Sequence, residues 1–491
     1  MRKFLYSFVA LCVALMATSC LYGKGFGEES GPMEDQSGFK AEASASVISA
    51  NGDDVVTFRA IYNGEDVTSE ATLYDAGTNE ALEGMSFSTI AAGVYTFYIT
   101  YGEYKSKNIV ITAVMDIDLS DKEEKDLTAT FSTNLVQVGK NYAAFILRYN
   151  GKVISADEIK KVVVYNAADD SKIEIDEQNT IGSEFNYVAV KDENGKEFIL
   201  LAYSPNNAGS KSFWFGYKTK NTRETPLTIT AVTTNIPSSP VDAEPSNMNF
   251  KHRTLLTQFT GTWCGNCPYM IAAFHYLFED ERYKDKFIHT ALHYKDEFGL
   301  NDLANILNTT GNYPYVLMNL YTGIANYATE TNISNLMGAI DTDQKTPARA
   351  AIAARTELKD NMLLVRASAK VSVTAEYAIG AWLVESGMYS PQSNSTSMKD
   401  DYLDIHENVV RIADSYNAKE INYRGLSLGS ITKGEKADHL FVMELDPSWN
   451  IENCHLVIFV STRYGNNSSL QVTNVVKTAS LTSGVDFEYS K

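Results

Sequence analysis

The feature that most constrains the fold of this chain is a Cys-x-x-Cys motif that lies between a β pattern and a helical pattern. Residues 253–259 (RTLLTQF) are a strand candidate, and the motif WCGNC follows at residues 263–267. From about Cys264 to Glu279, apolar side chains recur at the spacing of one helix face. The motif therefore predicts a tight turn from a strand into a helix.

The two cysteines of this motif are the candidate catalytic residues. Cys264 is predicted at the N-terminus of the helix, where unpaired N–H groups and the positive end of the helix dipole stabilise a thiolate. Cys267, one helical turn later, is placed to close a disulfide with Cys264 or to resolve a mixed disulfide. Pro268 lacks a backbone donor, which the first turn of a helix tolerates. The pattern predicts Cys264 as the nucleophile and Cys267 as the resolving thiol.

The segments after the motif alternate between strand and helix patterns. The candidates are a strand at 287–294, a helix at 300–308, a strand at 315–320 and a helix at 332–340. This alternation is typical of an α/β domain, which we place at residues 250–345. From Pro347 onwards β patterns return, so residues 346–491 are predicted to form a C-terminal β-sandwich. The stretch 402–416 fits either a helix or a strand.

Two N-terminal segments look like copies of one design. Each has a Tyr-Asn-Gly step between apolar runs, at 62–64 and 149–151, and Asn-Gly in that setting predicts a β-hairpin. We predict a β-sandwich at 39–116, which resembles the immunoglobulin-like modules of bacterial surface proteins, and a second, divergent one at 117–235. Residues 236–249 carry three prolines among Ser and Asn and are predicted to be a linker.

The N-terminus predicts an exported protein. Arg2 and Lys3 precede an apolar run at residues 4–17, which has the length of a signal-peptide core and is short for a membrane span. Small residues then lead to Cys20, and the sequence Ala-Thr-Ser-Cys resembles the lipobox of bacterial lipoproteins, in which the cysteine thiol carries the lipid. We predict that residues 1–19 are removed as a signal peptide and that Cys20 is lipidated.

The residues after Cys20 suggest a destination and a tether. Leu21 rather than Asp follows the cysteine, and resemblance to Gram-negative sorting rules then favours the outer membrane over the inner. Residues 20–38 are rich in Gly, Ser, Glu and Asp and predict a flexible tether. We therefore expect contact with the membrane through the lipid on Cys20 only.

Charge and cysteine content exclude several classes of partner and fold. Of the 42 basic side chains in the 491-residue chain, Arg2 and Lys3 leave with the signal peptide, so 40 basic face 61 acidic side chains and the formal charge becomes −21. That charge argues against nucleic acid as a partner. Of the five cysteines, Cys12 is lost and Cys20 is lipidated, so the fold does not depend on a disulfide framework. Cys454, which leads into an apolar run, is interpreted as a buried thiol.

Longer stretches carry a family resemblance. A strand, Trp-Cys-x-x-Cys, a helix and a Pro-led strand look like a thioredoxin fold, in which Tyr313-Pro314 is similar to the cis-proline turn beside the disulfide. The stretches FTGTWCGNCP, NYPYVLMN, AWLVESGMYSPQ (381–392) and HENVVR (406–411) resemble the Bacteroidetes outer-membrane lipoprotein family named after a 28-kilodalton outer-membrane protein. The resemblance covers about 250–491 and implies a thioredoxin-like domain followed by a β-rich domain. It implies that Trp263, Tyr313 and Pro314 bind substrate, although Trp263 also fits a lid packed beside the motif.

One residue departs from the thioredoxin pattern. Thioredoxins carry a buried acid six residues before the first cysteine, and Gln258 stands there in this chain. An amide cannot take up the proton of the second thiol, so rapid reductase turnover is in doubt. The pair Cys264–Cys267 is either redox-active, a structural disulfide, or a remnant on a fold kept for binding. No metal or other cofactor is expected: a second Cys-x-x-Cys is missing, and His289 and His293 are interpreted as packed rather than metal-binding.

These observations leave two hypotheses for function. In the first, the lipoprotein exchanges disulfides with exported protein thiols or disulfides through Cys264 and Cys267, with Pro314 aligning the substrate strand. In the second, the N-terminal β-sandwiches recognise a surface ligand or act as a stalk, and the thioredoxin-like domain is a scaffold without catalytic activity. The predicted location is the outer membrane, on either the periplasmic or the cell-surface face.

Overall fold

The computed structural model of the chain describes residues 38–115, 117–175, 183–192, 196–324, 328–414, 423–465 and 469–490. The predicted signal peptide, Cys20 and nearly all of the predicted tether lie outside these residues. The described residues divide into two compact units. Of the described residues, unit 1 comprises those between 38 and 204 and those from Ser212 to Ile229, and unit 2 comprises Pro205–Lys211 and those between 230 and 490. Strands predominate in both, so the chain is a mainly β multidomain protein, as the sequence predicted.

The first part of unit 1 consists of two small sheets. Its strands are β1 (Phe39–Ala43), β2 (Val47–Ser49), β3 (Val56–Tyr62), β4 (Glu65–Asp66), β5 (Thr72–Asp75), β6 (Ser86–Phe87), β7 (Gly93–Tyr101), β8 (Tyr104–Lys105) and β9 (Ile109–Val114). One sheet has the order β1-β3-β4, with β6 on β3, and the other has the order β2-β9-β7-β5, with β8 on β7. Phe58 of the first sheet packs edge-on against Phe97 of the second, with ring centroids 5.3 Å apart. The buried side chains of both sheets thus form one core.

The second part of unit 1 repeats this arrangement at larger size. Its elements are β10 (Leu127–Phe131), β11 (Leu135–Gln137), β12 (Ala143–Tyr149), β13 (Lys152–Val153), the short helix α1 (Ala156–Ile159), β14 (Val163–Asn166), β15 (Lys172–Ile173), β16 (Phe185–Lys191), β17 (Glu197–Tyr203), β18 (Gly209–Tyr217), β19 (Lys220–Asn221) and β20 (Leu227–Val232). The sheets have the orders β10-β12-β17-β16 and β11-β20-β18-β14-β15. Phe145 and Phe215, with ring centroids 4.9 Å apart, join them in one aromatic core.

The two predicted Asn-Gly hairpins are confirmed. Strands β3 and β4 pair through Tyr62 and Glu65, and strands β12 and β13 pair through Tyr149 and Lys152. Both turn residues have positive φ in each case, +52° and +90° in the first hairpin and +50° and +76° in the second. A turn with two positive φ angles matches the twist of the strands it joins, and Asn and Gly adopt it at least cost.

Unit 2 is built on a large sheet that also carries its helices. The strands are β21 (Thr254–Thr260), β22 (Phe287–His293), β23 (Tyr315–Met318), β24 (Thr322–Ile324), β25 (Ala350–Lys359), β26 (Met362–Val371), β27 (Ala375–Glu385), β28 (Met388–Tyr389), β29 (Ile405–His406), β30 (Val409–Ala413), β31 (Leu426–Ile431), β32 (Lys436–Glu444), β33 (Cys454–Thr462) and β34 (Gln471–Lys477). The helices are α2 (Pro268–Glu279), α3 (Asn301–Leu307) and α4 (Thr329–Asp343). The large sheet has the order β24-β23-β21-β22-β30-β27-β33-β34, and β25-β26-β32 form a second sheet.

Strand β21 occupies the centre of the α/β part. All seven of its residues are buried, and it pairs in parallel with β22 and antiparallel with β23. On the far side of β22, Ala291 pairs with Val409 of β30, which connects β22 to the C-terminal strands. The hydrogen-bonded sheet therefore runs without a break across the predicted boundary between residues 345 and 346. The pairing of β22 with β30 brings segments that are far apart in sequence next to the cysteine motif.

Two local features differ from the sequence-based expectation, and one alternative that the sequence left open, at 402–416, is decided. Helix α2 begins at Pro268, so Cys267 is its N-cap residue and Cys264 lies in the preceding turn rather than in the helix. The stretch 402–416 contains strand β30 and, before it, a short 3₁₀-helix at Asp401–Asp404, while residues 415 and 416 lie outside the described residues. The predicted linker is held against β26 and β32: Lys370 Nζ donates to the Glu244 carbonyl, and Lys436 Nζ donates to the Pro240 carbonyl.

We predict that the two hairpin glycines differ in how well they tolerate a methyl group. A Cβ on Gly64 meets nothing within 4 Å, whereas a Cβ on Gly151 falls 1.8 Å from the Lys122 carbonyl oxygen. Both substitutions to Ala cost about 1 kcal/mol for the positive φ, but Gly151→Ala must also move the backbone near Lys122. The unfolding free energy should fall by about 1–3 kcal/mol more for Gly151→Ala than for Gly64→Ala in urea titrations. Equal losses would contradict the packing described here.

Candidate functional site

The cysteine motif lies at the carboxyl end of the buried strand β21. After the strand, the backbone turns sharply, since the Cys264 N–H donates to the Gly261 carbonyl at 2.9 Å and the Cys267 N–H donates to the Cys264 carbonyl at 3.1 Å. A disulfide joins Cys264 and Cys267. Cys264 is 4% exposed and Cys267 is fully buried. The disulfide is therefore shielded from solvent on both sides.

A segment from the C-terminal part of unit 2 covers the motif. We call residues 392–398 the strap. The Ser393 N–H donates to the Thr262 carbonyl at 2.7 Å, and the Ser395 N–H donates to the Gly265 carbonyl at 2.8 Å. A Cβ on Gly265 would lie 2.2 Å from Ser395 Oγ, so the strap crosses directly over this glycine. No local sequence pattern predicts this contact, which joins positions about 130 residues apart.

Gln392 anchors the strap at its start. Its side-chain Nε2 donates to the carbonyls of Gly261, at 3.1 Å, and Cys264, at 2.9 Å, and also lies within bonding distance of two further carbonyls. Both of these carbonyls also accept within the turn, so Gln392 gives each a second hydrogen bond, and a typical bond of this kind contributes about 0.5–1.5 kcal/mol. Gln392, which is 8% exposed, therefore fixes the strap to the turn that carries Cys264.

The predicted substrate-binding residues form an aromatic group next to the motif. Trp263 is 47% exposed, and its indole N–H donates to the Tyr294 carbonyl at 2.6 Å. Its ring packs edge-on against the ring of Tyr313, with ring centroids 5.4 Å apart. The Tyr313 ring in turn stacks on the Tyr294 ring, with centroids 5.6 Å apart. The peptide bond between Tyr313 and Pro314 is cis, as the resemblance implied. Trp263 and Tyr313 are thus brought together, with one side of the indole open to solvent.

Gln258 occupies the position that the thioredoxin pattern reserves for an acid. It is 3% exposed, and its Oε1 lies 3.0 Å from His289 Nε2. Burial lowers the pKa of the His289 imidazole to about 3, so this ring is neutral at physiological pH. His289 Nδ1 lies 3.3 Å from the Asn408 amide nitrogen. Neither Gln258 nor His289 is therefore available to accept a proton from a cysteine thiol.

Asp296 connects the cysteine turn to a second buried histidine, His293. Asp296 Oδ2 lies 2.7 Å from His293 Nδ1 and accepts from the Thr262 N–H at 2.9 Å. Burial opposes ionisation of Asp296, but the hydrogen bonds from His293 and the backbone hold its pKa below the usual range. Among the residues that the structure describes, no group of three or more His, Cys, Asp or Glu side chains could hold a metal ion. Asp296 was not singled out from sequence, because nothing local distinguishes it from other loop acids.

Among the described residues, Cys454 is the cysteine outside the disulfide, and it is a buried thiol, as predicted. Cys454 is fully buried at the start of β33, and its Sγ–H donates to the Asn450 carbonyl at 3.4 Å. Burial raises the pKa of this thiol to about 12. The thiolate that reacts in exchange chemistry is therefore not populated at Cys454.

Comparison with protein families shows that part of this unit is similar to a family of outer-membrane proteins. Residues 301–483 match the family model described as outer membrane protein Omp28. The matched segment contains the strap and most of the C-terminal strands but not Cys264 and Cys267. Comparison with curated proteins gave no match. Within the described part of the chain, no helix has the length and apolar character needed to cross a membrane.

Similar solved structures share only low sequence identity with this chain. HBP35 of Porphyromonas gingivalis is 16% identical, with coverage of 50% of this chain and 80% of that chain and a TM-score of 0.39. A protein from Agrobacterium tumefaciens is 7% identical, with coverage of 49% and 97% and a TM-score of 0.29. The adhesin InvE of Yersinia pseudotuberculosis is 14% identical, with coverage of 39% and 58% and a TM-score of 0.13. All three TM-scores lie below 0.5, so none of them assigns a function to this chain.

We predict that His289 makes unfolding pH-dependent below neutrality. Its folded pKa of about 3 lies below the ordinary value of 6.5, so the unfolded chain binds the extra proton between these values. The stability from the neutral ring is fully present above pH 6.5 and is lost as pH falls towards 3, by at most about 1.4 kcal/mol per pH unit. Urea titrations from pH 7 to 4.5 should show a shallower pH dependence for His289→Gln than for the parent.

The control for this prediction is Thr290→Val. Thr290 is buried next to His289 on β22 and carries no titratable group, so its substitution should leave the pH dependence unchanged. Burial raises the pKa of Asp414 to about 6, so its contribution to stability changes with pH in the opposite direction to that of His289. Because Asp414 is present in all three proteins, this contribution cancels in the comparison. An identical pH profile for the parent and His289→Gln would show that His289 does not carry the effect.

Proposed function

We propose that this protein is a lipid-anchored outer-membrane binding protein in which a thioredoxin-like domain serves as a disulfide-closed scaffold without catalytic turnover. The observation that carries the proposal is the strap at residues 392–398, which hydrogen-bonds across the cysteine turn and leaves Cys264 4% exposed. A nucleophilic cysteine must meet its substrate sulfur directly. A covered disulfide instead ties the turn to the helix that follows it.

Strand order supports the thioredoxin-like assignment of this domain. The order β24-β23-β21-β22 has a parallel pair in β21 and β22, and antiparallel neighbours in β23 and β24. Helices α2, α3 and α4 alternate with these strands along the chain. This arrangement and the position of the cysteines directly after β21 are what the thioredoxin fold requires. Fold alone does not assign an activity.

Two features of the interior support a role without turnover. Gln258 replaces the acid that would take the proton of the second thiol, and an amide has no such capacity. Its neighbour His289 stays neutral because burial lowers its pKa to about 3. Neither Gln258 of β21 nor His289 of β22 could therefore accept the proton of Cys267 when this thiol attacks a mixed disulfide.

The outer face of the first sheet pair in unit 1 supports a binding role. Val47, Val94, Val110 and Val114 are 44–58% exposed on the sheet that contains β2, β9 and β7. The register places Val47 and Val94 on either side of Thr112, so these side chains lie together on one face. Apolar side chains grouped on an exposed face are typical of protein interaction sites. We infer that the two N-terminal parts are immunoglobulin-like modules and that the first of them presents this valine face to a ligand.

We predict that the cysteine pair contributes stability rather than activity. The parent protein should reduce insulin disulfides no faster than the Cys264→Ser/Cys267→Ser variant. The variant should lose about 2 kcal/mol of unfolding free energy, because a short closed loop is released in the unfolded chain. Catalysis by the parent that the double variant lacks would overturn the scaffold role.

Thiol–disulfide exchange on exported proteins is the second candidate, with the strap as a removable cover. The backbone bonds from Ser393 and Ser395 to the motif favour it, because an extended substrate segment could form the same bonds once the strap is displaced. After an external dithiol has reduced the Cys264–Cys267 disulfide, the Cys264 thiolate would attack a substrate disulfide and release one substrate thiolate. Cys267 would resolve the mixed disulfide and leave the substrate reduced and the pair oxidised. Gln392→Ala should reveal activity in the insulin assay if this candidate is correct, whereas Gln344→Ala, a half-buried glutamine elsewhere in unit 2, should not.

Anchoring through Cys20 can be tested independently of the cysteine pair. The Omp28 match to residues 301–483 supports association with the outer membrane, and the residues around Cys20 support lipidation. We expect Cys20→Ala to move the exported protein from the membrane fraction to the soluble fraction, whereas Cys12→Ala should leave it in the membrane. Protease treatment of intact cells then reports which face of the membrane it occupies. Retention of Cys20→Ala in the membrane would exclude the lipid as the anchor.

A further inference from the structure

A cavity of about 190 Å³ lies between the large sheet of unit 2 and helix α2. Its floor comes from alternate residues of two paired strands, which point to the same face of the sheet: Gln258 and Thr260 of β21, and His289, Ala291 and His293 of β22. Neither cysteine of the motif lines it. The cavity is slightly larger than the apolar cavity of about 150 Å³ that holds benzene in another protein.

Aromatic rings form the walls of the cavity. Phe274 and Phe278 of α2 face it, and Phe274 packs on the His289 ring at 4.2 Å. Towards solvent, His275 and Tyr402 stack at 4.0 Å with their ring planes nearly parallel. Both of these side chains are only partly buried, so the stacked pair forms the outer wall. Walls of this kind suit a flat, apolar molecule.

The floor also carries three buried polar atoms that lack a hydrogen-bond partner among the described residues. They are Gln258 Nε2, Thr260 Oγ1 and His293 Nε2, and each belongs to a residue that is at most 3% exposed. Buried polar atoms are nearly always bonded, and leaving one unpaired costs about 1–3 kcal/mol. Three such atoms on one cavity floor point to an occupant with polar atoms of its own.

The hydrogen bonds between the cavity floor and the residues beneath it determine whether Gln258 has a donor or an acceptor left for a ligand. The Lys477 ammonium group can only donate, and it donates to Asn408 Oδ1, so the Asn408 amide nitrogen donates to His289 Nδ1. His289 then carries its proton on Nε2 and donates it to Gln258 Oε1. The amide N–H₂ of Gln258, a residue that lines the cavity, is therefore left as a donor without a partner among the described residues.

His293 has a hydrogen-bond acceptor left for a ligand, whereas Gln258 has a donor. The Nδ1–H of His293 donates to the Asp296 carboxylate at 2.7 Å, and an imidazole whose proton is on Nδ1 carries a lone pair at Nε2. Thr260 can donate or accept. Among the described residues that line the cavity there is no lysine or arginine, and Glu407 carries the one carboxylate. A carboxylate ligand would find no cation here, whereas a hydroxyl can accept from Gln258 and donate to His293 at the same time.

We propose that this cavity is a binding site for a small, uncharged aromatic alcohol of the phenol class. The ring lies between the aromatic walls, and the hydroxyl accepts from the Gln258 amide and donates to the imidazole of His293. Thr260 supplies a third hydrogen bond to the hydroxyl oxygen or to a second polar group on the ring. The site is separate from the covered disulfide, so it does not depend on the proposed scaffold role.

The test uses the mature protein and phenol as the probe in isothermal titration calorimetry. Toluene has the same shape without the hydroxyl, and benzoate has a charge in its place. We expect phenol to bind at least about tenfold more tightly than toluene, because a buried polar group left unpaired discriminates strongly. Benzoate should bind more weakly than phenol as well. No heat of binding at millimolar phenol would show that the cavity holds water only and would overturn the proposal, as would equal affinity for toluene.

Two variants locate the binding in the cavity. Thr260→Val keeps the side-chain shape and should weaken phenol binding several-fold. Its matched control is Thr290→Val, which removes a buried hydroxyl that donates to Thr257 on the opposite face of the same strands and should leave binding unchanged. Ala291→Leu fills the cavity and should abolish binding of both phenol and toluene. Undiminished phenol binding by Ala291→Leu, with near-ultraviolet circular dichroism showing a native fold, would overturn the proposal.

Discussion

The parallel pairing of β21 and β22 is the interaction on which the rest of unit 2 depends. Strand β21 is buried along its whole length, and its end positions the turn that holds Cys264. The register between the two strands sets Gln258 and Thr260 beside Ala291 and His293 on one face. A shift of one residue would turn these side chains to the other face of the sheet. The cysteine turn and the cavity floor are thus consequences of one strand register.

Satisfying buried polar groups explains much of what surrounds this strand pair. The relay from Lys477 through Asn408 and His289 to Gln258 gives each of these buried groups a partner except the amide nitrogen of Gln258, a residue that lines the cavity. Gln392 acts similarly at the cysteine turn, because it supplies a second donor to the Gly261 and Cys264 carbonyls, which also accept within the turn. In both places a side chain from a distant segment completes the hydrogen bonds of β21 or of its exit.

Local chemistry accounts for the features that could be predicted from sequence. The Asn-Gly turns form because both positions need positive φ, and the helix after Cys267 begins with a proline because that position needs no donor. Strand and helix patterns gave most elements of unit 2 to within a few residues, since buried faces must repeat with the period of the element. The start of the helix was placed too early, at Cys264, because apolar spacing does not distinguish a helical turn from the tight turn before it.

The sequence by itself determined the order of strands and helices, the hairpin turns, the buried thiol of Cys454 and the pairing of two cysteines three residues apart. Only the tertiary structure decided that residues 392–398 cover that pair and that Thr260 and His293 meet at a cavity beneath α2. The reason is physical. Turns and caps are set by torsion angles and hydrogen bonds within a few residues, whereas the strap and the cavity depend on β30 pairing with β22 more than 100 residues away. That pairing leaves no local pattern in the chain.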